Sequence, residues 1–521
     1  MPRFLRILLW TSVSALGAGA IAVMALHRGE TINAAWLVVA ALCTYSVGYR
    51  FYARFLARRV FELDDRRATP AERLDNGVDF VPTHRWVLFG HHFAAIAGAG
   101  PLVGPVLAAQ FGYLPGTLWL IVGVVLAGAV QDFIILFASI RRDGKSLGQM
   151  AREEINTTAG IIAMVAVLAI MAILLAVLAL IVVNALAHSP WGLFTIACTV
   201  PIALLMGWWM HAFRPGRVGE ASAIGVVLVL AAVVAGGRVA ADPTWAAVFT
   251  VEKTTLVWLM AGYGFIASVL PVWVLLCPRD YLSTFLKIGT IVALAAIFTV
   301  EGTTLVWLMM AYGFIASVLP IWVLLCPRDY LSTFLKIGTI AALAVGILVT
   351  LPTIHMPALT RFVDGTGPVF AGKLFPFAFI TVACGAISGF HALIASGTTP
   401  KMVERESDAM LVGYGAMLME SFVGVMAMVA ASVLQPGVYF AINSPAGVVG
   451  ATVAEATRTI AAWGFVVTPE DMRVLAAQMG ETTLLARTGG APSLAVGMAQ
   501  IFGGVFGGGS LMAVWYHFAI M

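Results

Sequence analysis

The stretch Gly90 to Pro105 reads GHHFAAIAGAGPLVGP and lies inside an apolar segment, Trp86 to Gln110, that is long enough to cross a bilayer. It cannot be one regular helix. Pro101 and Pro105 have no backbone N–H, so the carbonyls of Ala97 and Pro101 lose their helical partners. Gly98, Gly100 and Gly104 loosen the same turn. An unsatisfied carbonyl is costly in hydrocarbon, so such a break survives only where it lines a cavity or packs against protein. Broken spans of this kind bind substrates and coupling ions in secondary transporters. A proline-kinked, glycine-packed structural helix is the other reading of the same residues.

Composition sets the surroundings of this segment. Of 521 residues, 61% are apolar and only 11% charged, a balance no soluble domain shows. The chain is expected to be an all-α polytopic membrane protein with about 14 spans. Spans are expected at Ile7 to Leu26, Ala34 to about Gly48, Trp86 to Gln110, Thr117 to Ile140, Gly160 to Leu186, Trp191 to His211 and Glu220 to Gly236. Others are expected at Thr255 to Cys277, Leu286 to Val300, Phe375 to Ala395, Leu411 to Leu434 and Leu494 to Phe518, with Ala341 to Leu351 completing one more. The first is read as an uncleaved span, because no small-x-small cleavage site follows it. The stretch from Gln435 to Pro492 is mildly polar and suits short interfacial helices. With the N-terminus in the cytoplasm, most of the 30 basic residues fall on that side, including the clusters in Arg50–Arg85 and Arg141–Arg152. A net charge of +4 spread over many loops makes no nucleic-acid patch. Cys43, Cys198, Cys277, Cys326 and Cys384 read as small buried hydrophobes, with no CxxC pair.

Residues 251–291 and 300–340 are nearly identical at an offset of 49. They differ at Lys253/Gly302, Ala261/Met310, Gly262/Ala311 and Val272/Ile321. Each copy is a two-span hairpin, so the extra copy leaves later spans in their original orientation. Identity this high points to a recent or artificial duplication rather than to ancient internal symmetry. Each copy carries a Pro-Arg-Asp-Tyr turn, read as a cytoplasmic helix connection, and Pro271 lies in the middle of a span.

Few polar residues stand inside the apolar runs. Asp132 is about nine residues from the cytoplasmic end of its span, roughly 13 Å deep at ~1.5 Å per residue. A carboxylate there must face a cavity or a partner, as proton carrier, cation ligand or structural acid. Glu420 is similarly deep and is the natural second acid of a relay, or a partner for a histidine. His91 and His92 are adjacent, so on a helix they point about 100° apart and do not form the i, i+4 pair of a zinc site. Each is either a protonatable cavity residue or a backbone-bonded one. Ser388, His391, Ser396, Thr398 and Thr399 in GAISGFHALIASGTTPK suit either a substrate path or interhelical hydrogen bonding. There is no Walker A sequence, GxSxG elbow or HExxH, so no ATP-driven or hydrolytic site is visible. No cofactor and no metal are expected.

The runs GHHFAAIAGAGPLVGPVLAAQFGYLPGTLW, AGAVQDF, the Pro-Arg-Asp-Tyr-Leu turn, DGTGP (Asp364 to Pro368), GFHALIASGTTPK and GYGAMLMES together resemble the carbon starvation protein family, CstA. The resemblance covers nearly the whole chain. It implies a multi-pass transporter of the bacterial inner membrane, related to the amino acid–polyamine–organocation superfamily, whose inverted repeats each begin with a broken span. It further implies proton-coupled uptake of short peptides or pyruvate under carbon starvation, with the substrate, a coupling proton and the bilayer as partners. On this reading residues 1–85 hold two spans and a basic cytoplasmic loop, 86–434 the transporter core with the duplicated hairpin, and 435–521 an extracytoplasmic stretch and a last span. Trp86–Gln110 resembles the first broken helix, and the Thr255–Cys277 span with Pro271 is its counterpart. Substrate and ion contacts are expected among His91, His92, Gly98, Gly100, Pro101, Gly104, Pro105, Asp132, Ser388, His391, Thr398, Thr399 and Glu420. Members of the family resemble this chain with one hairpin copy and with further spans beyond the position of Met521. An inactive truncated variant is therefore an alternative expectation, and a non-transporting starvation sensor or scaffold is another.

Overall fold

The computed structural model describes residues 3–25, 32–77, 79–186, 189–208, 218–252, 254–258, 325–506 and 510–520. Over these the chain is predominantly helical, and the sheet found among them is a two-residue antiparallel pairing of Ile32–Asn33 with Thr353–Ile354. Among the described residues, four helices are long and apolar enough to cross a membrane, and two bent helix pairs raise the number to six. Most of the duplicated hairpin region, including Pro271 and the spans expected from Thr255 and Leu286, lies outside the described residues.

Helix α1 (Arg3–Ala25) packs against α2 (Ala35–Val47). The second span does not end at Gly48 as expected. Wide π-type turns at Gly48–Ala53 and Leu56–Val60 carry the helix through the first arginines. Aromatic residues alternate with arginines here, so the stems stay on apolar surface while the charges reach out. The Arg50 guanidinium lies 6.0 Å and 5.8 Å from the ring centres of Trp10 and Phe51.

The proline-rich segment forms α3 (Arg85–Ile96) and α4 (Gly100–Ala108), bent by 47°. The break is narrower than the sequence suggests and is confined to residues 97–99. Pro101 stands in the first turn of α4, where a missing N–H costs little, and Pro105 stays inside that helix. Helix α5 (Tyr113–Ile140) follows, π-wound over Trp119–Gly128. Hydroxyls intrude on its backbone there: Tyr414 donates to the Val125 carbonyl at 2.8 Å and Ser421 to the Leu120 carbonyl at 3.0 Å.

A Ser146–Gln149 capping box opens the short helix Leu147–Glu154. Then come α6 (Thr157–Leu186), α7 (Pro190–Trp208) and α8 (Val218–Ala241), matching the apolar runs. The second Pro-Arg-Asp-Tyr sequence lies in α9 (Leu325–Thr350), and the residues before it, 259–324, lie outside the described residues. The span expected from Phe375 to Ala395 is also not continuous. It comprises α10 (Leu374–Thr381), α11 (Ala383–Ala386) and α12 (Gly389–Gly397), with Ile387 and Ser388 extended between the last two. Next is α13 (Met410–Val433). Short helices α14 (Pro436–Asn443), α15 (Val453–Ala462) and α16 (Pro469–Gln478) occupy the mildly polar stretch, as expected. The last expected span is helical over α17 (Ala491–Phe506) and α18 (Ser510–Ile520), and residues 507–509 lie outside the described residues.

The chain divides into two compact units. One comprises residues 1–74, 82–174 and 336–519. Its axis is α13, 89% buried over its best apolar window and packed by α2, α3, α4, α5, α11 and α17. The corresponding windows of α1 and of α6 up to Leu174 are 17% and 6% buried, so their apolar faces suit lipid. The other unit comprises residues 75–81, 175–335 and 520–521. Within it α7 packs on α8, and the Trp191 indole N–H donates to the Val233 carbonyl at 2.7 Å.

Candidate functional site

Three buried side chains meet at the centre of the first unit. Asp132 comes from α5, His391 from α12 and Glu420 from α13, and none is exposed. Small residues let these helices approach. A Cβ on Gly413 would lie 2.9 Å from the Phe133 Cα, so α13 runs against the backbone of α5 beside Asp132. The height of α12 is set by the extended pair before it. Gln131 donates from Nε2 to the Ser388 carbonyl at 2.6 Å, satisfying a group that the break frees.

His391 bridges the two acids. Its Nδ1 lies 3.0 Å from Asp132 Oδ2 and its Nε2 lies 2.9 Å from Glu420 Oε2. With Asp132 ionised, its carboxylate only accepts and the N–H sits on Nδ1; with Asp132 protonated, the carboxyl donates to Nδ1 instead. Nε2 and Oε2 are at ion-pair distance, but neither has a hydrogen-bond partner among the described residues, so a proton passes between them only after the ring or the carboxylate turns. The other oxygen of Asp132, Oδ1, has no hydrogen-bond partner among the described residues. Three groups in line thus form a path along which a proton can be held and passed.

The remaining expected residues divide around this line. His92 Nδ1 lies 2.8 Å from Thr399 Oγ1, tying α3 to the end of α12, and its Nε2 has no hydrogen-bond partner among the described residues. His91 is buried on the same helix, about 100° round. Ser388 contributes its carbonyl rather than its hydroxyl. Thr398 is half-buried, and its carbonyl accepts the Lys401 N–H at 3.2 Å. Ser396 accepts the Leu147 N–H at 3.1 Å and donates to the Ala392 carbonyl at 2.6 Å. Gly98 stands in the break, and Gly100, Pro101, Gly104 and Pro105 in the helix after it. A Cβ on Gly104 would be 3.2 Å from the Thr381 carbonyl carbon, so α4 lies directly on the end of α10.

Cys384 corrects the sequence reading. It is half-buried and polar in its contacts, with Sγ 3.4 Å from Glu420 Oε1 and the Gly100 backbone packed against it. Nothing local marked it, because Cys384 and Glu420 meet only through the double break of α10–α12. Ligand atoms of Cys384, His391 and Glu420 lie within 4.8 Å of one another, close enough to converge on a cation. His391 Nε2 and Glu420 Oε2 are 2.9 Å apart without a hydrogen bond between them.

A second polar cluster ties the segment after α2 to the loop before α13. Glu406 is buried, accepts from the Asp64 N–H at 2.7 Å and pairs with Arg141, whose guanidinium also lies 4.7 Å from the centre of the Phe137 ring. Asp65 accepts from the Ser407 N–H and hydroxyl, both at 2.8 Å. Burial pushes the Asp408 carboxyl up, and Arg85 at 3.8 Å draws it back.

The sequence matches the family described as Carbon starvation protein CstA over residues 33–299 and 293–521. The peptide transporter CstA of Escherichia coli strain K12 is 54% identical over 519 residues, 99% of this chain and 67% of that protein. The peptide transporter CstA of Helicobacter pylori strain 26695 is 53% identical over 521 residues, covering 100% and 69%. The pyruvate/proton symporter BtsT of Escherichia coli strain K12 is 50% identical over 534 residues, covering 98% and 68%. No solved structure matches the chain.

Proposed function

Since the chain belongs to the carbon starvation protein CstA family, we propose that it is a secondary active transporter that takes up short peptides or pyruvate, driven by proton entry. The observation that carries the coupling is the buried Asp132–His391–Glu420 line, three titratable groups in contact beside a broken helix. Intramembrane ionisable residues of this kind serve proton relays and ion pathways. Asp132 is the leading coupling residue, and His391 passes the proton between the two acids. The substrate stands beside the 97–99 break, where α4 presents its N-terminus and the positive end of its dipole suits a carboxylate. Pyruvate and the C-terminus of a peptide both carry one. Of the finer features, we assign about 14 spans, an inverted-repeat core within 86–434, a bacterial inner-membrane location and a cytoplasmic N-terminus on the positive-inside asymmetry and the family resemblance.

Inward movement of one net charge supplies about 2.3 kcal/mol per 100 mV, enough to accumulate substrate against its gradient. The test is uptake of labelled pyruvate and of a labelled dipeptide by purified protein in proteoliposomes, with and without an inward proton gradient. Accumulation of one substrate that collapses with a protonophore supports the reading. Absence of uptake of both by monodisperse protein overturns it in favour of a sensor or an inactive chain.

A further inference from the structure

The end of α3 leaves carbonyls without helical partners, those of Ala97 and Ala94 among them. Pro101 has no N–H to offer Ala97. Gly98, which would serve Ala94, donates instead to Ile96 at 2.9 Å. Both carbonyls are taken by one side chain from α9: the Lys336 ammonium donates to Ala97 at 2.8 Å and to Ala94 at 3.2 Å. A lysine in the apolar part of a helix costs about 2.5–3.5 kcal/mol on insertion scales, so its position calls for such partners. The C-terminal end of a twelve-residue helix carries roughly half a negative charge, which attracts a cation.

In transporters with broken helices, the carbonyls of an unwound segment and the C-terminal end of a half-helix are where a sodium ion is coordinated. Here a tethered ammonium meets those groups. We infer that Lys336 is a specificity-determining residue for the coupling ion: it occupies the alkali-cation position at the end of α3, so the protein binds no sodium there and depends on protons alone. The ammonium supplies the positive charge that holds the unwound carbonyls in place, and no ion need be bound or released at this point in the cycle. The inference rests on the transporter reading above. Its structural part, the filling of the carbonyl site, is independent of which substrate is carried. The equivalent lysine of the first hairpin copy, Lys287, lies outside the described residues.

The experiment compares sodium chloride with choline chloride at fixed pH, on purified protein without substrate. Thermal unfolding of the wild type is expected to be the same in both salts. Lys336→Met keeps the aliphatic stem and removes the charge, and Lys336→Ala also opens space. In either variant sodium is expected to raise the unfolding temperature by about 2 °C or more, because a ligand that binds only the folded state stabilises it. Lys336→Arg retains a cation and is expected to behave as wild type. Sodium stabilisation of the wild type, or none in well-folded Lys336→Met and Lys336→Ala, overturns the assignment. Wild-type uptake gives a second arm that stands whether or not a variant folds. Replacing sodium by choline is expected to leave gradient-driven uptake unchanged, and a several-fold loss overturns the assignment. Uptake without sodium dependence or proton dependence would instead refute the coupling proposal and leave the Lys336 binding result intact.

Discussion

Replacing Gly413 with alanine adds one methyl group where two helices run backbone to backbone. The new Cβ would lie 2.9 Å from Phe133 Cα, 3.1 Å from Phe133 N and 3.3 Å from the Asp132 carbonyl carbon. All three are main-chain atoms, so no side chain can swing aside. Ordinary carbon contacts begin near ~3.5–4.0 Å, and α5 must therefore move from α13 by about 0.6–1 Å. Overpacking of this kind costs about 1–3 kcal/mol. Alanine recovers about 0.5–1 kcal/mol of that through its better helix propensity, so the net loss of stability is small to moderate. The loss of function is larger. Asp132 moves with α5, and its 3.0 Å contact with His391 lengthens beyond hydrogen-bonding range. Misplacement of a reacting group by about 1 Å can cost roughly 100-fold, so proton-driven uptake should fall at least about tenfold. The assay is initial-rate uptake in proteoliposomes, normalised to monodisperse protein. Gly338→Ala is the matched control: nothing among the described residues lies within 4 Å of its Cβ, and it should leave uptake intact. Full uptake by Gly413→Ala would refute the claim that this backbone contact sets the acid–histidine–acid spacing.

Other perturbations reach other parts of the molecule. Glu406→Ala removes a buried acceptor from Arg141 and the Asp64 N–H, and loss of one partner of such a pair costs about 3–5 kcal/mol when fully buried. Arg141 is 29% exposed, so the low end is expected, seen as faster amide exchange at residues 61–67 and 402–408. Tyr439→Phe removes donors to the Val106 and Leu107 carbonyls, at 2.7 and 3.1 Å, and should cost about 1 kcal/mol or somewhat more in thermal unfolding. Thr468→Ala removes the N-cap of α16, a capping box with Asp471, and should destabilise by about 1 kcal/mol without changing uptake.

Much of the site was legible because intramembrane chemistry is sparse. Pro101 removes a helical donor wherever the segment lies, so the break near Ala97 followed from local covalent structure. Asp132 and Glu420 stood out because few acids share their depth. What local pattern could not reveal was their convergence, since Asp132 and His391 are 259 positions apart. That meeting depends on extended Ile387 and Ser388, which divide a run that reads as one helix. The same missed break hid Cys384, whose apolar neighbours made it look like filler. Arg50 to Val60 was misplaced for a different reason. Its charge suggested a loop, but aromatic side chains and long arginine stems kept it helical. Lys336 lies in the apolar run that follows Arg328 and Asp329 in α9, but its partners, Ala94 and Ala97, are main-chain groups that no side-chain motif marks.

The most direct measurement is made on Asp132→Asn, which keeps the shape of the side chain and removes its charge. Two uptake modes are compared in the same proteoliposomes: substrate counterflow without a gradient, and accumulation driven by an inward proton gradient. Asp132→Asn is expected to retain counterflow and to lose gradient-driven accumulation, because substrate exchange needs the fold while coupling needs the acid. Accumulation at the wild-type level in that variant would contradict a coupling role for Asp132 and, with it, the buried Asp132–His391–Glu420 line as the path of the proton.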